Sequence, residues 1–190
     1  MDMSTTNLFV ELLVIGMGSA GWLALLAASA LGYNSAFLGN LSSKAAAALP
    51  GVIGIYLLGI IVDRIADSVM HSLRSDRKCR KYFTSQEESL KERGFVLTKS
   101  RYFAKQFDYN RSRQRICRGW ILNALILAVS LNVFLVVHPE VTEHPGRLSV
   151  VGTATLLLLA LGCWFSWERL ADTELKRIRD QAKWLRETGL

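Results

Sequence analysis

The sequence predicts an all-α integral membrane protein in which four helices cross the bilayer and extend into a cytoplasmic helical layer. Three observations predict it. Apolar runs at 8–31, 45–62, 120–137 and 148–167 are long enough to span, and the last three contain no charged residue. Charge is concentrated between them: 64–118 holds 15 Lys/Arg against 6 Asp/Glu, a net of +9. Helical spacing of apolar residues also continues past the ends of the runs. Four spans in 190 residues leave no room for a soluble catalytic domain of ordinary size. The chain divides into spans 1 and 2 (1–63), a basic cytoplasmic segment (64–118), spans 3 and 4 (119–167) and a cytoplasmic C-terminal helix (168–190).

The first run imitates a cofactor fold. Leu12 to Ile15 could be a strand, and Gly16, Gly18 and Gly21 have the spacing of a dinucleotide-binding turn. That fingerprint needs an acidic residue about 20 positions on to hold the ribose. None occurs between Glu11 and Asp63. In a spanning helix the same glycines are small residues that let a neighbouring helix approach. Ala28, Ser29 and Ala30 resemble a signal-peptidase site, but the basic n-region is missing and the run is too long, so an uncleaved span is expected.

Charge placement sets the orientation. The other basic segment is the tail, with 6 Lys/Arg against 5 Asp/Glu in 168–190, while the two remaining connections carry only Lys44 and Arg147. The positive-inside rule therefore puts 64–118 and both termini in the cytoplasm. Cys79, Cys117 and Cys163 show no paired metal or disulfide spacing and read as small apolar or surface residues. Asn40, Leu41 and Ser42 form a glycosylation sequon that matters only in a eukaryotic secretory pathway.

Beyond the second span, Ile61, Ile65, Val69 and Leu73 carry a helical stripe onward to about Tyr82. Thr84 with Glu87, and Ser85 with Glu88, match capping boxes, and Gly94 reads as the stop of that short helix. Phe95 to Thr98 could be extended. From Tyr102 a helix leads unbroken into the third span. The tail repeats the pattern with Leu170, Ile178, Ala182 and Leu185. So small a layer is expected to gain burial by oligomerisation, most simply as a closed tetramer, or against a separate protein.

Several constellations are candidates for function. Asp63, Asp67 and His71 lie on one face of the second helix, where they suit a cation-attracting pore mouth, a weak metal site, or plain pairing of Arg64 and His71 with Asp67. Glu11 is the one ionisable residue well inside a run, level with Arg64 and Arg118. It reads as a gate or as a structural ion pair. Asn123, Ser130 and Asn132 lie deeper; Asn123 and Ser130 share a face and suit a pore lining or interhelical hydrogen bonds.

In 101–120, Arg101, Lys105, Arg111, Arg113, Arg115 and Arg118 alternate with Tyr102, Phe103, Phe107, Tyr109 and Trp120. Guanidinium planes and rings suit phosphates and stacked bases. Anchoring to anionic lipid explains the residues nearest the membrane easily, and Arg101 and Lys105, with Arg74, Arg77, Lys78, Arg80 and Lys81, less well. An anionic ligand at Arg101, Lys105, Arg111, Arg113 and Arg115, with stacking on Phe103, Phe107 and Tyr109, is the sharper reading.

No nucleophile with its base, metal motif or Walker loop is present, so neither an enzyme nor a cofactor is expected. Four spans around a basic cytoplasmic loop resemble, in layout alone, the small membrane components of bacterial anti-phage defence systems. Those of the Hailong type are oligomeric channel effectors opened by a nucleotide, and those of the Kiwa type are oligomeric membrane sensors docked to a cytoplasmic effector. The resemblance implies an inner-membrane defence role, with lipids, a nucleotide or oligonucleotide, or an effector protein as partners. It assigns no individual residue.

Overall fold

The structure, a computed structural model, describes residues 3–32, 48–74, 82–99 and 101–187, a few of them by backbone alone. Among these residues five α-helices make up the fold: α1 (Met3–Leu31), α2 (Ala48–Arg74), α3 (Gln86–Lys99), α4 (Arg101–Val137) and α5 (Pro145–Glu187). A 3-10 turn at Pro139–Val141 joins α4 to α5. There is no strand among the described residues.

Three helices carry segments long and apolar enough to cross a membrane: Leu8–Leu31, Lys105–Val137 and Pro145–Glu187. The run expected as the second span starts at Ala45, outside the described residues, and its described helix meets Asp63 after Val62. At 1.5 Å per residue α4 is about 55 Å long and α5 about 65 Å, well beyond a hydrocarbon core of about 30 Å. Both continue as single helices into the charged end of the molecule. The tail and the 101–118 segment are therefore helical extensions, as their periodicity predicts.

Packing within the bundle depends on small residues. A Cβ on Gly16 would sit 1.8 Å from the Ile55 carbonyl oxygen, and one on Gly59 would sit 1.9 Å from that of Leu12. The backbones of α1 and α2 thus touch through these two glycines. Gly18 lies against Asn123 of α4. The glycine-rich segment of α1 is helical throughout, with no strand and no phosphate turn, and its tight contacts fall within one chain.

At the charged end, α3 lies across the extensions of α4 and α5. Phe83, Val96, Phe107, Leu175, Ile178, Ala182 and Leu185 form the core there. Ser85 Oγ accepts from the Glu88 N–H at 3.1 Å, so Ser85 caps α3 as predicted, while Glu88 Oε2 accepts from the Thr84 N–H at 2.7 Å, one residue before the position a capping box would use.

Two expectations need correction. Gly94 does not stop α3, and Phe95 to Thr98 are helical rather than extended. Burial of Val96 in the core carries the helix past the glycine, and Gly32 is the one positive-φ glycine among the described residues. The helix after the second run is described only to Arg74. The interval 75–81, with Arg77, Lys78, Cys79, Arg80 and Lys81, lies outside the described residues, as do the sequon and Lys44.

The apolar part of α5 is poorly covered. Val150, Leu158 and Leu161 are each 64–69% exposed, which leaves a contiguous apolar face uncovered by the described residues.

Candidate functional site

Where the apolar bundle gives way to the charged layer, three helices are tied by ion pairs. Arg115 of α4 donates from Nη1 to Glu11 Oε2 of α1 at 3.1 Å, and its Nε lies 3.6 Å from Asp63 Oδ2 of α2. Ser112 donates to the other Glu11 oxygen, and Arg118 pairs with Asp67. Glu11 and Asp63 are buried, so each charge depends on its partner. Asp63 is the weaker arm: its Oδ1 accepts no hydrogen bond among the described residues.

The sequence places Glu11 correctly as an ion-pair candidate but suggests the wrong partners. Arg64 is exposed, Arg118 takes Asp67, and Arg115 takes Glu11 because its position on α4 faces the seam between α1 and α2. Asp63 and Asp67 do not act as a pair, since each is committed to a different arginine. The His71 side chain lies outside the described residues.

Deeper in the bundle, Asn123 is fully buried and hydrogen-bonded at both ends of its amide. Nδ2 donates to the Ile15 carbonyl at 2.7 Å; Oδ1 accepts from Ser19 Oγ and from Trp22 Nε1, each at 3.1 Å. Ser130 is also fully buried and donates to the Ile126 carbonyl at 2.8 Å. Asn132 bonds Thr153 at 2.7 Å and Ser149, both on α5. Within the chain these polar residues face helix seams, and the α1–α4 seam is closed by the Asn123 bonds.

The basic and aromatic stretch of α4 is divided by helix geometry. Phe107 is a core residue at 8% exposure, and Phe103 packs against the same cluster. The Phe107 ring presents no stacking platform, because it faces α3 and α5, whereas Phe103 is only partly buried. Arg115 is likewise committed to carboxylates. The surface that remains consists of Lys105, Tyr109, Arg111 and Arg113, all exposed. Arg113 lies 4.3 Å from the Tyr109 ring centroid and donates to its hydroxyl. The Arg101 side chain lies outside the described residues.

A second buried polar cluster has no signal in the sequence. Gln114 donates to Glu174 Oε2 at 2.6 Å, and Arg93 pairs with Glu174 Oε1 at 3.3 Å. Together they link α3, α4 and α5. Arg186 pairs with Glu92 at the far end of the layer. At the opposite end of the bundle, His138 Nε2 lies 3.1 Å from the Ala28 carbonyl oxygen and Nδ1 lies 3.1 Å from Glu140. Its own backbone N–H and the His138 ring hold the Glu140 carboxyl below the usual carboxylate range.

Finally, a groove of about 510 Å³ lies between α4 and α5 beside Arg113 and Arg169. No group of three residues able to hold a metal ion occurs among the described residues. No known protein family matches the chain, and no curated protein or solved structure shows significant similarity to it.

Proposed function

We propose that this chain is a homo-oligomeric membrane channel or permeabilising effector, gated by an anionic nucleotide or oligonucleotide at its basic cytoplasmic layer. One observation carries the reading. Arg115, which holds α1 and α2, sits on the same unbroken helix that displays Lys105 and Arg111 to solvent. A ligand that draws the α4 extension toward itself pulls on Arg115, and the Glu11 and Asp63 contacts open or re-form with it. In this reading the buried pairs are the gate, because an arginine between its carboxylates loses both pairings at once when it moves.

In this reading four helices cross the bilayer, α2 among them, with both termini and the basic layer in the cytoplasm. Four copies surround the conducting path, with the weakly covered face of α5 available for contact between them. The setting we propose is bacterial anti-phage defence at the inner membrane, which rests on the resemblance in layout alone.

Liposomes loaded with a fluorescent ion reporter test it. Wild-type protein is expected to remain closed until an oligonucleotide is added on the basic side, whereas Glu11→Gln leaks without it. Wild-type liposomes that stay sealed under every anionic ligand tried would exclude the channel.

A second reading, a non-conducting sensor or anchor for a cytoplasmic effector protein, is favoured by Leu90. This residue is 62% exposed on α3, in the layer farthest from the apolar bundle. Retention of the effector by wild type and its loss in Leu90→Asp, with no ion flux, would support it.

A further inference from the structure

The groove between α4 and α5 takes no part in the gating proposed above, and its chemistry differs from that of the rest of the basic layer. Its wall is mostly apolar, with Ile116, Cys117, Phe165 and Leu170 beside Ser166, and Arg113 and Arg169 complete the lining. None of its lining residues is acidic. Neither guanidinium meets a carboxylate among the described residues. Each lies against a ring instead, Arg113 at 4.3 Å from the Tyr109 centroid and Arg169 at 4.6 Å from that of Phe165. Phe165 is itself 56% exposed, although it is a large apolar ring.

Height along the helices is the second observation. Arg113 precedes Trp120, the start of one apolar run, and Arg169 follows Trp167, the end of another. At 1.5 Å per residue they lie about 10 Å and about 3 Å past those apolar ends. Headgroup layers are roughly 5–8 Å deep on each side of the hydrocarbon. Arg169 therefore lies within the headgroup layer and Arg113 just beyond it, within reach of a long side chain, with exposed Phe165 on the hydrocarbon side of Arg169.

The geometry points to a binding site for an anionic phospholipid in this groove, with its phosphodiester between Arg113 and Arg169 and an acyl chain along Phe165. The site rests on the reading that α4 and α5 cross the bilayer, but not on conduction or on a nucleotide. Two cations beside an apolar wall complement a phosphate carrying hydrocarbon, whereas a free nucleotide gains little from that wall. The assignment gives Arg113 to lipid and leaves Lys105 and Arg111 to a soluble ligand.

The experiment is lipid retention by the full-length protein from mixed phosphatidylglycerol and phosphatidylcholine vesicles, read by mass spectrometry of the purified protein. Wild type is expected to retain phosphatidylglycerol preferentially. Arg113→Ala and Arg169→Ala should each reduce that preference about fivefold, the effect of one basic residue near an anionic surface. Arg111→Ala, outside the groove, should leave the preference unchanged. Oligonucleotide binding by the Arg113→Ala and Arg169→Ala double variant, in the same preparation, separates this site from the gating proposal and should persist. Wild-type protein with no preference overturns the site, and so does an equal loss in Arg111→Ala. A change in oligomer mass with unaltered lipid retention would assign the groove to a second copy and also overturn it.

Discussion

Arg115 of α4 lies 3.1 Å from Glu11 of α1 although 104 residues separate them, and the same guanidinium faces Asp63 of α2. The pairing fixes three helices at one level, at the boundary between apolar and charged surface. With both carboxylates buried, the arginine cannot leave without stranding them. Removing either side should therefore cost more than an ordinary surface ion pair.

Glu11→Ala or Arg115→Ala should each destabilise the protein by about 3–5 kcal/mol, and the double variant by less than the sum. Thermal unfolding in detergent, analysed as a double-mutant cycle, measures this coupling. Additive losses would mean that the two side chains do not act together.

Asn123→Leu should loosen the α1–α4 seam, because it strands the Trp22 N–H and leaves the Ser19 hydroxyl only the Ile15 carbonyl of its own helix. Interhelical hydrogen bonds of this kind are worth about 1–2 kcal/mol in membranes. Trp22 fluorescence should shift on substitution and serves as the local readout. An unchanged spectrum and melting point would place Asn123 away from Trp22.

Glycine replacements should sort by position. Gly16→Leu or Gly59→Leu drives a side chain into backbone and should prevent assembly of a stable bundle, whereas Gly162→Leu, with no neighbour within 4 Å, should be tolerated. Expression and the size-exclusion profile in detergent are sufficient to compare them. The contrast disappears if α1 and α2 do not touch through these glycines.

Lys105→Ala with Arg111→Ala should weaken oligonucleotide binding and lower the slope of log affinity against log salt by about 0.7 for each phosphate no longer neutralised. Tyr109→Ala should cost roughly 1–3 kcal/mol in binding with the slope kept. Phe107→Ala, by contrast, should lower stability by about 3–5 kcal/mol because its ring is core. A salt titration beside a melting curve separates these three outcomes.

Orientation is testable by cysteine labelling in intact cells. A thiol placed at Glu143 should react with a membrane-impermeant reagent, and one at Glu87 should not. Reaction at Glu87 would invert the topology.

The helical class, three helices of spanning length and their continuation past the apolar segments were determined by local properties. Apolar run length, helical period and the Ser85 cap act within a few residues, so they are legible without a fold. Glu11 could be singled out for the same reason, since a charge in an apolar run is a local anomaly. Which partners it takes is a matter of helix register between distant segments. Only the tertiary structure decided that Arg115 rather than Arg118 reaches Glu11, that Phe107 is core while Tyr109 is surface, and that Gln114, Glu174 and Arg93 meet. Gly94 shows the same division. Its local preference for ending a helix is worth about 1 kcal/mol, and burial of Val96 beside Phe107 and Ile178 outweighs it.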